Sequence, residues 1–325
     1  MTRCRIAWLL PLVLTGCFNG FVITPTYHSG GVEENVMAKP AHWLCRNKIA
    51  IIDVDGLLFN ARTSGLLSDG ENPLALFRER LEAAAADKRV RAVVLRINSP
   101  GGAVTASDIM HQDLLNFRKE TNKPVVACLM DVAASGGYYV ATASDLIFAH
   151  PTTVTGSIGV IMSLYNASGL LTKIGVASDP IKSGPNKDLA NPARPMTDEE
   201  RAILQNVVNR FHEQFVQVVA IGRQLPEDRV RALADGRIYT GFEARQFGLV
   251  DEVGYLEDAL AAAMDLACLD DAAIVAYDRC SGCRGSIYSG LPSVPSEIKV
   301  NLQVPGLNSP GNAAFLYLWE PGLMR

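Results

Sequence analysis

Residues 89–102 read RVRAVVLRINSPGG, and this stretch decides the fold class. Val90 to Ile97 form an apolar run of strand length, and Gly101 and Gly102 stand where the strand must turn. A helical pattern follows from about Ser107 to Glu120, then a second apolar strand, PVVACLM at 124–130. A small-residue helix across Ala134 to Ala143 and a short strand, DLIFA at 145–149, come next. Upstream, IAIIDVDG starting at Ile49 reads as a strand, and Leu74, Phe77 and Leu81 have helical spacing within 72–86. Strands of this kind alternating with helices predict an α/β fold. The glycines fall at strand exits, where α/β enzymes place their ligand groups.

The chain has 325 residues, 48% apolar and 20% charged, which excludes a disordered chain over most of its length. Its start, MTRCRIAWLLPLVLTGC, has two arginines, a nine-residue apolar run from Ile6 to Leu14 and then Thr15, Gly16 and Cys17. Nine residues cannot cross a bilayer core that needs about 20, and the pattern is that of a secretory signal peptide. LTGC resembles the bacterial lipobox, so residues 1–16 are expected to be removed and Cys17 acylated. Acyl chains contribute about 0.8 kcal/mol per buried CH₂, enough in number to hold the protein on a membrane. Without Arg3 and Arg5 the chain carries 28 basic against 34 acidic residues. That balance argues against a nucleic-acid partner.

Residues 18–47 are rich in Gly, Pro, Asn and His and read as a tether. The segment 159–195 is loop-rich and polar, and TDEE from Thr197 is a capping-box pattern opening a long amphipathic helix to about Gly222. Shorter helices are expected near 226–234, 241–247 and 254–268. The tail from 266 holds CxxC at Cys280 and Cys283, a pattern open to a metal half-site, a redox pair or a disulfide that could include Cys268. It also holds an apolar patch, FLYLW at 315–319, expected to dock on the body or on a neighbour.

Three places carry chemistry. SPGG at 99–102 lets backbone amides converge on an anionic atom; it is neither GxxxxGK[ST] nor GxGxxG, so no nucleotide motif is present. AASGGYY at 133–139 puts Ser135 at a strand exit where a helix starts, suited either to a nucleophile among amides or to a plain N-cap. It is not the GxSxG elbow. A serine needs a base, and the five histidines are at 28, 42, 111, 150 and 212, of which only His150 follows a strand. Lysine serves where burial disfavours the ammonium. Lys187 in KSGPNKD is open to that role, but its spacing by itself favours a solvated ion pair with Asp188.

NSPGG, AASGGYYVA, TGSIGV, KSGPNKD, RPMT and ADGRIYTG occur in this order between about Lys48 and Asp265. Together they resemble the signal peptide peptidase A family of serine peptidases, short single-repeat type. The resemblance implies a ClpP/crotonase-like spiral of ββα units with C-terminal helices over 48–265. It implies a Ser135/Lys187 dyad, Ser157 orienting the lysine, and amides at Gly102 and Gly136 forming the oxyanion hole. It implies no cofactor and no metal. Serine and lysine are expected to meet across adjacent protomers of a homo-oligomeric ring, with membrane-derived or unfolded peptides as substrates. Small and apolar residues near Gly102, Val104, Val132 and Tyr138 are expected to line the pocket. The place of action is expected to be the bacterial cell envelope, outside the cytoplasm. Short members commonly have a spanning N-terminal helix, which the acylated start would replace here, and the extension 266–325 lies outside the shared pattern. The alternatives are a catalytically silent lipid-anchored assembly protein and, sharing the fold, an acyl-CoA enzyme of the crotonase type.

Overall fold

A computed structural model describes residues 31–61, 64–65, 68–69, 71–279, 287 and 315–319. The leader, Cys17, Cys280 and Cys283 lie outside the described residues. In chain order the elements are β1 (Glu33–Ala38), β2 (Lys48–Leu58), two-residue strands β3 (Ser64–Gly65) and β4 (Ser68–Asp69), α1 (Pro73–Ala86), β5 (Val90–Ala103), α2 (Val104–Thr121), β6 (Val125–Ala134), α3 (Gly136–Ala141), β7 (Leu146–Ala149) and β8 (Val154–Gly156). There follow α4 (Ser168–Lys173), a 3-10 turn (Pro185–Asp188), α5 (Asp198–Arg223), α6 (Glu227–Leu233), β9 (Ile238–Thr240), α7 (Gly241–Phe247), β10 (Glu252–Val253), α8 (Leu256–Leu266), β11 (Ala273–Asp278) and β12 (Leu316–Leu318).

The main sheet has the order β1-β11-β2-β5-β6-β7-β10. From β11 to β10 every pairing is parallel, and β1 joins the edge antiparallel to β11. A parallel sheet is buried on both faces, and alternate residues of each strand serve the two sides. Ala50, Ile52, Val93, Leu95 and Ile97 pack with α1, α2, α3 and α5 on one face. Ile49, Ile51, Ala92, Val94, Val126 and Cys128 pack under Leu256, Ala259, Leu260 and Ala263 of α8 on the other. The expected α/β architecture is present.

Local chemistry sets the helix starts. Asn72 caps α1, its side chain accepting from Leu74 N at 3.0 Å and Ala75 N at 3.3 Å, with Pro73 at the first helical position. Thr197 and Glu200 form the predicted reciprocal capping box of α5.

Beyond Ile97 the sheet divides. The last residues of β6 leave β7 and pair with β8, Ala134 opposite Gly156, and β8 pairs in turn with β9. The end of β5 pairs with β2 on one side and β12 on the other. This second layer holds the glycines and serines singled out above.

Two segments depart from the expected organisation. Residues 33–38, expected within the tether, are a sheet strand. Only Asn35 is buried there, so β1 is held by backbone pairing and shows no apolar alternation. The extension from 266 contributes β11 and β12 to the same sheet.

Candidate active site

The SPGG segment is pinned through its serine. Ser99 Oγ donates to Gly56 O at 2.6 Å and accepts from Gly101 N at 3.1 Å. Gly101 has φ +107°, and a Cβ there would lie 1.9 Å from Tyr317 O and 2.7 Å from Gly136 N. No other residue fits that backbone and that approach. Gly102 stands opposite Leu58 of β2 and Tyr317 of β12.

Ser135 sits at the exit of β6 with φ 51° and ψ −115°. A non-glycine residue held there carries strain of about 1–3 kcal/mol and persists only where its surroundings enforce it. Here Ser135 N donates to Gly156 O at 2.8 Å, and Ser135 O accepts from Tyr139 N at 2.8 Å in the first turn of α3. Although Ser135 occupies the N-cap position, its side chain makes no capping bond. The residue is 1% exposed, and Oγ has no hydrogen-bond partner. A buried orphan hydroxyl costs about 1–3 kcal/mol, so strain and desolvation are both concentrated on one atom. That removes the plain N-cap reading.

Gly136 brings the neighbouring amide close to the SPGG strand. A Cβ on it would lie 3.1 Å from Gly102 N and 2.4 Å from Ser107 Oγ. The sequence therefore places Ser135, Gly136 and Gly102 in one spot although they come from two strand exits. Ser157 is brought there too: it follows Gly156, the residue that receives the Ser135 amide, and its own N–H donates to Arg237 O at 2.8 Å. It is buried, with φ 48°.

Lys187 lies in the exposed 3-10 turn Pro185–Asp188, away from any partner in its own chain among the described residues. The ion pair with Asp188 that its sequence position allows does not form. Asp188 instead accepts from Lys182 at 2.7 Å and from Arg194 at 3.0 Å, and Arg194 also bonds Glu200 at 2.9 Å. Arg194 first, then Lys182, hold the Asp188 carboxyl well below the usual carboxylate range. Of the histidines, His150 packs edge-on against Tyr255 at 4.4 Å, and burial pushes His111 down to about 4.

Tyr138, expected in the pocket lining, is a core residue. It is fully buried, and its hydroxyl donates to Leu249 O at 2.7 Å, because the first turn of α3 directs it inward. Tyr139 is buried as well, its hydroxyl donating to Asp108 Oδ1 at 2.7 Å and its ring 5.2 Å from that of Tyr317. Three supports escaped the sequence reading: Ser99, whose type matches a turn former, Ser107 behind Gly136, and the carbonyl of Gly156. Cys268 is exposed and free.

A strained serine with a buried free hydroxyl, set beside two converging glycine amides, is an arrangement for attacking a carbonyl. The sequence profile of peptidase family S49 matches residues 117–270, which include Ser135, Ser157 and Lys187. A putative signal peptide peptidase SppA of Enterococcus faecium is 38% identical over 251 residues, covering 77% of this chain and 72% of that protein. The chain belongs to peptidase family S49. A putative protease of Synechocystis is 39% identical over 225 residues, covering 69% of this peptidase and 76% of the relative. Protease 4 of Haemophilus influenzae is 34% identical over 221 residues, 67% of this peptidase but 35% of that longer protein. No helix among the described residues is long and apolar enough to cross a membrane.

Proposed function

We propose that this peptidase is a serine endopeptidase in which Ser135 is the nucleophile and Lys187 of a neighbouring copy is the general base. The observation that carries the reading is the Ser135 hydroxyl: strained in backbone, buried and without a partner, beside the amides of Gly136 and Gly102. Unprotonated Lys187 accepts the Ser135 proton, and Oγ adds to the peptide carbonyl. The Gly102 and Gly136 amides stabilise the oxyanion, a contribution of about 3 kcal/mol per donor. Lys187 then protonates the leaving amine, and water, activated in turn, hydrolyses the ester. Ser157, next to Gly156, orients the amine.

Exposed apolar surface on the arm that bears Lys187 favours a shared site. The arm bearing Lys187 exposes Leu164, Tyr165, Leu170, Ile174, Val176 and Ile181, apolar surface that a neighbouring copy would cover. A ring built by one repeated head-to-tail contact brings every Lys187 to the next Ser135. Burial in that contact favours the neutral amine, and with Asp188 taken by Arg194 and Lys182 no adjacent carboxylate opposes it. Acylated Cys17, left at the start of the chain once residues 1–16 are removed, would tether the ring to a membrane of the cell envelope. Its substrates would then be signal-peptide remnants or other unfolded apolar peptides arriving there.

The test is hydrolysis of casein by the chain beginning after Cys17, beside Ser135→Ala and Lys187→Ala, with assembly size measured for all three. Cleavage by the parent and none by two equally assembled variants supports the reading. Equal cleavage by all three overturns it and reopens the silent assembly protein.

A further inference from the structure

The two ends of the main sheet differ in chemistry. Gly102, Ser135 and Gly136 sit where the parallel strands end, whereas Lys48, Val90 and Ala273 mark the opposite end, where they begin. β2 runs from Lys48 to Leu58, the residue opposite Gly102, so at about 3.3 Å per residue the serine and glycines stand roughly 30 Å from the strand starts.

The turn between β1 and β2 caps that far end. Asp271 accepts from Ala41 N at 3.0 Å and from His42 N at 2.8 Å. Cys45 N donates to His42 O at 2.9 Å, and Cys45 Sγ to Asp271 O at 3.1 Å. What this pinned turn presents is apolar: Trp43 is 88% exposed and Leu44 70%. Around them the charge is positive. Lys39 and Arg46 flank the turn, and Lys88 and Arg89 lie on the next loop, where Lys48 N donates to Arg89 O at 2.8 Å. All four cations are exposed, and none makes an ion pair among the described residues. The acids at this end are largely taken, Asp87 by Lys48 at 2.8 Å, Asp145 by Arg118 and Asp271 by the turn amides, which leaves Glu120, Asp265 and Asp270 exposed. In a chain of formal net charge −4, this is a local reversal of sign. Helix C-termini also end here and attract cations. That accounts for Lys123, which donates to Ala84 O at 2.7 Å and Ala85 O at 3.1 Å, but not for Trp43 and Leu44.

We propose that this end of the sheet docks on an anionic phospholipid surface, with Trp43 and Leu44 entering the interface and Lys39, Arg46, Lys88 and Arg89 facing the headgroups. Indole rings settle at headgroup level, and an anionic leaflet attracts cations held close to it. This docking extends the tether proposed through Cys17 and rests on it for the surface that is met. An acyl anchor limits how far the body can stand from a membrane but not which face it presents; a second contact sets the face. Glu33 pairs with Asp278 and Ala38 with Ile274, so β1 carries the chain about 20 Å from the site end toward the turn. The sixteen residues from Cys17 to Glu33 can span up to about 53 Å, enough to place Cys17 and Trp43 in one bilayer. Docked in this way, the body holds its cleft roughly 30 Å from the headgroups, and its substrates are peptides that have already left the bilayer.

The test is co-sedimentation of the chain beginning after Cys17, which keeps every described residue and lacks the acyl anchor. The vesicles are phosphatidylcholine alone or mixed equally with phosphatidylglycerol. Trp43→Ala and a chain carrying both Lys39→Ala and Arg46→Ala are run alongside, and assembly size and casein hydrolysis are measured for each without vesicles. The expected result is binding to the anionic vesicles that added salt weakens, with a blue shift of tryptophan emission that Trp43→Ala lacks. Affinity should fall about tenfold in Trp43→Ala and about fivefold for each cation removed, with assembly and casein hydrolysis at the parental level. A parent that does not bind, or variants that bind as the parent does, overturn the proposal. If the full chain made in bacteria still fractionates with membranes in that case, the Cys17 tether stands without it. Equal binding to neutral vesicles also overturns it, as does loss of assembly in Trp43→Ala, which would assign the turn to a contact between copies.

Discussion

Replacing Ser135 by alanine should have opposite consequences for stability depending on whether Lys187 is present. Within one chain the hydroxyl is buried without a partner, so deleting it removes a desolvation penalty of about 1–3 kcal/mol. Alanine at φ 51° keeps the backbone strain, which therefore cancels from the comparison. In the proposed ring, the Lys187 amine of the next copy would satisfy that hydroxyl, and the same deletion would forfeit a hydrogen bond worth about 0.5–1.5 kcal/mol net. Ser135→Ala should then raise the unfolding midpoint by several degrees in a Lys187→Ala background, at roughly 2–4 °C per kcal/mol for a body of this size. In the Lys187 background it should leave the midpoint level or lower it. The assay is a cycle of four chains, each checked for equal assembly and followed by thermal unfolding, with an interaction of about 1.5–4.5 kcal/mol expected. Equal shifts in both backgrounds would refute the pairing of these two side chains, whatever either variant does to activity.

Further expectations concern neighbouring groups. Gly136→Ala would put a Cβ 2.4 Å from Ser107 Oγ and 3.1 Å from Gly102 N, so both amides move and kcat should fall about 100- to 1000-fold with little change in KM; an unchanged kcat would remove these amides from the oxyanion role. Arg194→Ala leaves Asp188 held by Lys182 alone and loosens the turn that carries Lys187, and should reduce turnover roughly 10- to 100-fold while the body's unfolding midpoint holds. A variant with parental turnover would show that this clamp does not position the lysine. Burial pushes His111 down to about 4 from an ordinary 6.5, with Asp108 opposing. Between those values the unfolded chain binds a proton that the folded one refuses, so stability is lost as pH falls through this window, on the order of 3 kcal/mol in full. Urea unfolding at pH 7 and pH 4.5 should show a smaller difference for His111→Leu than for the parent, and an equal difference would contradict the assignment.

The elements that could be read from sequence are those whose stability comes from their own side-chain pattern. The Val90–Ile97 run, the Leu74/Phe77/Leu81 face and the Thr197/Glu200 box each announce themselves locally; both helices keep their expected limits, while the strand runs on through SPGG to Ala103 because β2 and β12 continue to pair with it there. Strands β1 and β12 did not, because their evidence lies in partners far along the chain: Glu33–Ala38 pairs with residues near 275, and Leu316–Leu318 with residues near 102. The site divides in the same way. SPGG and AASGG show as motifs, since glycine beside a strand end is a local signature, but their convergence on one point depends on the β5–β6 pairing. The orientation of Tyr138 inward and Tyr139 toward the tail is set by one turn of helix, which spacing alone does not resolve. Lys187 is legible only as a residue type, since within its own chain it lies on an exposed turn and the role proposed for it would need a neighbouring copy.

The central claim is that each active site takes its serine from one copy and its lysine from the next. It is tested most directly by unfolding, mixing in equal amounts and refolding together the Ser135→Ala and Lys187→Ala chains, each inert alone, then measuring casein hydrolysis by the mixed assemblies. In a ring with one repeated contact, random mixing rebuilds an intact serine–lysine pair at about one site in four, so roughly a quarter of the parental rate should return. Mixed assemblies shown to contain both chains and still inert would contradict the account.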